Sequence, residues 1–308
     1  MGCRMAYCRL FIASWFFSFG TSCLILFYFT AYYFQKPEFS VPLQERKIVI
    51  FDLGNVLIRT NHYKALRYLG IKDTLFYRFF HWRSFQALQS TVCTLLDTYT
   101  LPIDHTPLCD SYGRQLPHLF SDTLKGVCTE SQARPLAYQA LKNSENCFYN
   151  KREERLCKKT IELMFNPELL ITTQELMKDG FLLLKECLAA HHEVFICSNM
   201  SEEMFELIKN KFPELFSLIP EENIIISAHV KAVKPEQAFY TIVCKRLIKK
   251  GLKPTKETCF FIDDQLENIE ALNNQPIQGI HKKSSFKNIK KFFKKQGLLK
   301  KQSEEINA

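Results

Sequence analysis

No two of the twelve cysteines form a Cys-x-x-Cys pair, so the commonest spacing of a structural zinc site is absent. No internal repeat recurs along the chain, and outside a lysine-rich tail no stretch is of low complexity. A solenoid or a largely disordered chain is thereby excluded. No charged residue occurs from Leu10 to Phe34, a stretch of 25 residues, and no acid lies between Lys282 and Lys301, where nine lysines fall. Those nine equal the whole net charge of +9, so the remainder is neutral and the charge is a local feature.

What is present divides the 308 residues into unlike parts. At a helical rise of about 1.5 Å per residue, the uncharged stretch is roughly 37 Å long, more than a hydrocarbon core of about 30 Å. It is too long for a secretory h-region, and no small-x-small cleavage site follows it. The expectation is a single-pass membrane anchor over 1–34, with a cleaved signal as the alternative. Arg4 and Arg9 precede the stretch while Lys36, Arg46 and Lys47 follow it, so the positive-inside count is close to a tie. Gly2-Cys3 suggests lipidation, but Ala6 stands where the myristoylation pattern wants Ser or Thr.

In the tail, Phe286, Ile289, Phe293 and Leu298 recur roughly at helical spacing with lysines between them. This predicts a last helix packed by its apolar face with a solvated basic face. Contact of the Lys282–Lys301 region with anionic lipid is the sharper reading. Nucleic acid is not expected, because no recognition motif accompanies the charge. Cys197 and Cys259 fall in apolar runs and read as buried thiols. Cys93, Cys109, Cys128, Cys147 and Cys157 could pair in an oxidising compartment.

After a Pro-containing linker, Ile48–Phe51 reads as a short, fully buried strand ending in Asp52, with Gly54-Asn55 as its turn. About 120 residues without a parallel-sheet strand follow. Helical patterns end in "TQELMKDGFLLLKECLAAHH"; then come strand "EVFICSN", helix "EEMFELIKNKF", short strand "NIIIS" and helix "PEQAFYTIVCKRLIKKG". Strand "CFFIDD", helix "LENIEALNN" and a last strand near Ile277–Ile280 complete the series. This order predicts an α/β fold, a Rossmann-like parallel sheet with a helical cap inserted after the first strand.

Strand ends on one edge of a parallel sheet converge, so Asp52, Ser198, Lys234 and Asp264 should meet. Asn199, Asp263 and Asn268 flank them. Paired carboxylates suit Mg²⁺; lysine, hydroxyl and loop amides suit the oxygens of a phosphoryl group. Each element also has an ordinary reading as a helix cap or turn; all of them together in one chain do not.

In "FDLGNVL", "ICSN", "VKPEQAFY" and "FIDDQLENIEAL", in that order, the chain resembles the haloacid dehalogenase-like (HAD) hydrolases from about Lys47 onward. Gly-Asn-Val after the first aspartate, and Asp-Asp with Asn four residues later, look most like the sugar-phosphate phosphatase branch. Glucose-1-phosphate phosphatases belong there, and the phosphatase half of soluble epoxide hydrolases is similar. The resemblance implies a HAD core over 35–60 and 172–308, with the cap at 61–171. Asp52 would be the nucleophile, forming an aspartyl-phosphate. Asp52, the Gly54 carbonyl, Asp264 and supporting Asp263 would hold Mg²⁺. Ser198 and Lys234 would bind the phosphoryl group, aided by Asn199 and the amides of Leu53 and Gly54, and Asn268 would orient the acidic loop at the substrate site.

Many members of that family carry a second aspartate two residues after the first, as general acid and base. Here that position is Gly54, which implies a loss of about 10² to 10⁴ in rate, felt most by substrates with poor leaving groups. Asn55 and His62 are near in sequence, His62 reading as a surface residue. The expected partner is a small phosphorylated metabolite. The opposing reading is a membrane-tethered, inactive docking protein; a dehalogenase, which dispenses with metal, leaves Asp263-Asp264 without a purpose. Buried thiols and a Mg²⁺ requirement lean the catalytic domain to the cytoplasmic face.

Overall fold

A computed structural model describes residues 46–80, 85–97, 108–109, 115–143, 148–283 and 285–299. The expected anchor over 1–34 lies outside these residues. Among the described residues no helix is long and apolar enough to cross a membrane.

Arg46 onward forms one compact unit. Strand β1 (Ile48–Phe51) is completely buried, and β2 (Ile58–Thr60) follows after a tight turn. In that turn the Leu53 carbonyl accepts from the amides of Val56, Leu57 and Ile58. Helices α1 (His62–Leu69), α2 (Ile71–Phe80), α3 (Phe85–Asp97), α4 (His118–Lys125), α5 (Glu130–Asn143), α6 (Lys151–Met164) and α7 (Pro167–Thr173) come next. Then follow β3 (Gln174–Leu176), α8 (Lys178–Ala189), β4 (Glu193–Ser198), α9 (Glu202–Lys211), α10 (Pro213–Phe216), β5 (Ile224–Ile226) and α11 (Ser227–Val230). The chain continues through α12 (Gln237–Lys249), β6 (Cys259–Asp263), α13 (Leu266–Glu270), β7 (Gln278–His281) and α14 (Lys287–Lys295).

Five strands form one sheet in the order β5-β4-β1-β6-β7, every neighbouring pair parallel. Helices cover both faces, which is why these strands read as unbroken apolar runs. Alternate residues serve different layers. Val49, Phe51, Ile196 and Ile262 pack with Leu184 of α8, Phe205 of α9 and Phe293 of α14. Ile48, Ile50, Phe195 and Phe261 pack with Phe239, Val243 and Leu247 of α12. Between β2 and β3 the described helices share a separate core that includes Tyr77, Leu96, Leu119, Ala137, Leu156 and Phe165, while Leu170 and Ile171 of α7 pack against the sheet's core.

The stretch from Thr173 reads in sequence as a continuous helix, and the structure corrects this. Gln174–Leu176 is an antiparallel partner of Ile58–Thr60, so chain leaves and re-enters the core through a two-stranded ribbon. Helix α8 starts only at Lys178, and a Cβ at its Gly180 would come within 2.1 Å of the Val56 carbonyl oxygen. Glycine is what lets helix and turn approach.

At the C-terminus, Phe286, Ile289, Phe293 and Leu298 are all buried, and Phe293 packs on Phe260 of β6 with ring centroids 6.1 Å apart. Lys282 departs from the expectation of a solvated basic face. It is only 6% exposed; its amide donates to the Asp263 carbonyl at 2.8 Å and its ammonium lies over the Phe286 ring. Cys197 and Cys259 are buried thiols, as their apolar context suggests.

Candidate active site

The carboxyl ends of β1, β4 and β6, with the loop after β5, surround a cavity of about 160 Å³. Its walls include Asp52, Gly54, Asn55, Ser198, Lys234 and Asp264. Asp52, Ser198 and Asp264 follow from buried strands that end on polar residues: burial fixes the strand, and the polar residue emerges at its edge; Lys234 arrives on the loop after α11.

Lys234, 2% exposed, is the centre of the charge arrangement. Its Nζ lies 2.9 Å from Asp52 Oδ1 and 2.7 Å from Asp263 Oδ2, and donates to the Cys197 carbonyl at 3.3 Å. Burial alone would depress this ammonium, but Asp263 and Asp52 together outweigh burial and hold it above the usual lysine range. Asp52 Oδ1 also accepts the Leu53 amide at 2.7 Å. Burial pushes the Asp52 carboxyl up to about 7; Lys234 pulls it down, while Asp263 and Asp264 push it further up. Asp264 is likewise raised, chiefly by burial, against a hydrogen bond from Asn55 Nδ2 to its Oδ2 at 2.9 Å. Asn55 adopts a left-handed backbone at φ 50°, a conformation asparagine tolerates better than most residues.

One oxygen from each of Asp52, Asp263 and Asp264 falls within 4.8 Å of the others. Three carboxylates share one bridging lysine, with Lys282 acting on Asp264 from further away. Burial is the main cause of the raised Asp52 and Asp264 carboxyls, with the neighbouring carboxylates adding to it, and hard oxygen donors with excess negative charge fit a divalent cation. The three acids are not equivalent. Asp263 is fully buried, and its oxygens are occupied by Lys234, the Gln265 amide at 2.8 Å and Asn268 Nδ2 at 3.1 Å. It does not line the cavity, and the donors facing the cavity are those of Asp52 and Asp264.

Asn199 and Asn268, expected at the substrate, line the cavity but are largely committed elsewhere. Asn199 Nδ2 donates to the Lys234 carbonyl at 2.7 Å and its Oδ1 accepts the Lys234 amide at 2.8 Å. It clamps the lysine's backbone. Asn268 holds Asp263, and its own carbonyl accepts the Tyr240 hydroxyl at 2.8 Å. The Leu53 amide is likewise spent on Asp52. His62 is exposed at the start of α1. Met200 and Gln265 line the cavity without having been singled out in sequence; Gln265 also donates to the Cys109 carbonyl of the inserted segment at 3.2 Å. Direct adjacency to Asn199 and Asp264 was their one available signal.

No protein-family model matches the chain, and no curated protein matches its sequence. Among solved structures, a HAD-family enzyme from Bacteroides thetaiotaomicron superposes with a TM-score of 0.50 at 17% identity, over 80% of this chain and 98% of its own. The chain has the HAD hydrolase fold. An aspartate-to-alanine variant of that same enzyme, in complex with magnesium and inorganic phosphate, gives 0.50 at 16% identity over 79% and 98%. A HAD-like hydrolase from Porphyromonas gingivalis gives 0.48 at 17% identity over 80% and 97%. Identities this low speak to the fold alone. In an open α/β sheet ligands bind outside the carboxyl ends of the strands, which is where this cavity lies.

Proposed function

We propose that this is a Mg²⁺-dependent phosphomonoester hydrolase that works through an aspartyl-phosphate on Asp52 and favours substrates with good leaving groups. The observation that carries the reading is the charge arrangement: three carboxylates around one buried lysine, with Ser198 on the same cavity. Asp52 and Asp264 would hold the ion, with the Gly54 carbonyl as a further oxygen donor and Asp263 in support. When bound, it supplies the positive charge that keeps Asp52 ionised and offsets the charge of a phosphate.

The rest falls to the chain's own residues. Lys234, its ammonium kept charged by two carboxylates, and the Ser198 hydroxyl hold the phosphoryl oxygens. A carboxylate oxygen of Asp52 bonds to phosphorus as the bond from phosphorus to the leaving oxygen breaks. With glycine at 54, that oxygen takes its proton from water. A second water then attacks phosphorus, gives its proton to solvent, and releases inorganic phosphate and the Asp52 carboxylate. Of two slow points, the first is lowered for an aryl or anomeric sugar phosphate, whose leaving oxygen has less need of a proton than an alkyl alcohol's. Supporting the phosphatase branch is the Gly54-Asn55-Val56 turn, with Asn55 tied to Asp264. The segment between β2 and β3 would act as the cap that sets substrate choice, and residues 1–34 as a membrane anchor with the catalytic domain in the cytoplasm.

The test is phosphate release by the full chain in detergent, with and without Mg²⁺, from aryl, anomeric sugar and alkyl phosphates, with Asp52→Asn as control. Turnover that requires Mg²⁺ and Asp52, and ranks alkyl esters last, is expected. A folded chain that binds Mg²⁺ but turns over none of them would instead support a docking protein that keeps the pocket.

A further inference from the structure

The fold carries the C-terminal lysines to a definite place. Strand β7 ends at the catalytic edge of the sheet, and α14 runs back across it with Ile289 and Phe293 buried. Its end reaches the opposite edge, where His192, just before β4, accepts the Lys47 amide at Nδ1 (3.4 Å) and bonds the Leu298 carbonyl through Nε2 (2.8 Å). One imidazole thus ties the start of the described chain to the end of the basic helix. Lys47 Nζ donates to the Glu257 carbonyl at the same edge, just before β6. Along α14, Lys287, Lys291 and Lys295 are exposed and four residues apart, one row on one face. No acid occurs in the helix, and the neighbouring Lys290 is drawn off to Glu186 at 2.7 Å.

This edge is also where the uncharged 10–34 stretch is attached. Residues 35–45 join it to Arg46, a tether of at most about 40 Å. We infer that the exposed face of α14 carrying the Lys287–Lys291–Lys295 row, which runs from the catalytic edge of the sheet toward the remote edge, is a docking surface for anionic lipid headgroups. The inference rests on the membrane anchor proposed above and is independent of the chemistry at Asp52. It also decides what linear counting leaves tied. Arg4 and Arg9 on one side of the stretch face Lys36, Arg46 and Lys47 on the other, and His192 ties Lys47 to Leu298 just past the lysine-bearing helix. Anionic lipid is concentrated in the cytoplasmic leaflet, so the domain sits on that side. A positively charged row within about 8 Å of headgroups is attracted at physiological salt and released at high salt.

The experiment reconstitutes the full chain in nanodiscs of phosphatidylcholine alone or mixed with phosphatidylserine, and reads amide hydrogen exchange over 287–299. Exchange slowed at least about threefold in the anionic discs is expected, with the effect removed by high salt and by Lys287→Gln/Lys291→Gln/Lys295→Gln. Equal exchange in the two discs overturns the docking surface. So does equal protection by duplex DNA in neutral discs, which would make the row a general polyanion site. A chain that enters neither disc overturns the anchor as well, and the two failures are told apart by that step. If the triple variant does not fold, lipid composition and salt still decide the matter.

Discussion

Gly54→Asp should convert the enzyme from one limited by its leaving group to one that is not. The backbone at Gly54 lies outside the left-handed region, and a Cβ added there meets nothing nearer than Asp52 Oδ2 at 3.7 Å, an ordinary contact. Glycine is therefore not required by the fold, and an aspartate side chain has a cavity to enter. The new carboxyl would join three others, one of which already titrates near 7 through burial. It should be raised in the same way and keep its proton at neutral pH, the state a general acid needs.

The expected gain in kcat/KM for an alkyl phosphate is about 10² to 10⁴, equivalent to about 3–5 kcal/mol of barrier. For an aryl phosphate kcat/KM should stay within about threefold, since the first step has less need of a proton there. The second step gives an independent signature. On the proposed mechanism water attacks the aspartyl-phosphate without a base, so an aryl substrate should show a burst of phenol followed by slower turnover. Gly54→Asp should raise kcat and shrink that burst. Rapid-quench assays on matched aryl and alkyl esters, with Gly54→Asn as a size control, measure both. Equal effects on the two esters, or an equal gain from Asn, would refute the assignment of position 54 as the missing acid.

Three further outcomes are expected. Lys234→Met strips the bridging cation from Asp52 and Asp263 and should cost about 3–5 kcal/mol in urea unfolding without metal, with Mg²⁺ recovering part of it and no phosphate release in either case. Asn199→Ala removes both bonds to the Lys234 backbone and should lower stability by about 2 kcal/mol, while leaving inhibition by inorganic phosphate within about twofold if Asn199 positions the lysine rather than binding substrate. Glu130, on α5 and bonded to the Ser201 hydroxyl of the core, is pushed from 4.5 up to about 7 by burial, against that hydrogen bond and with a push from Glu203. Below 4.5 it is protonated whether folded or not. Between there and 7 the unfolded chain loses the proton first, so stability should fall as pH rises, by about 1–3 kcal/mol overall. Thermal unfolding of Glu130→Gln should lack that slope.

The parallel core was legible because each of its main strands is an unbroken apolar run that stops at a polar residue. Ile48–Phe51 before Asp52 and Cys259–Ile262 before Asp263 announce both the layer and its functional edge. The ribbon at the entrance to the insert was not legible. Its strands are three residues each, too short to show a period of two, and Gln174–Leu176 merges with the helical pattern that begins at Lys178.

At the site, sequence shows which groups arrive at the edge but not which of their bonds are already taken. Asn199 looks like a ligand for a phosphate until its amide is found closing on the Lys234 backbone. Asp263 and Asp264 look interchangeable until one proves enclosed by Lys234, Asn268 and the Gln265 amide while the other faces the cavity. Lys282 looks like the first of a solvated run, yet it is folded under Phe286 and acts on Asp264. In each case the residue's type was readable and its commitment was not, because commitment depends on a partner 29 or 35 positions away or on which way a loop turns. Gly54 is the exception that proves informative. With no side chain to commit, it marks the same thing in sequence and in structure: a position beside Asp52 with room for a side chain and none present.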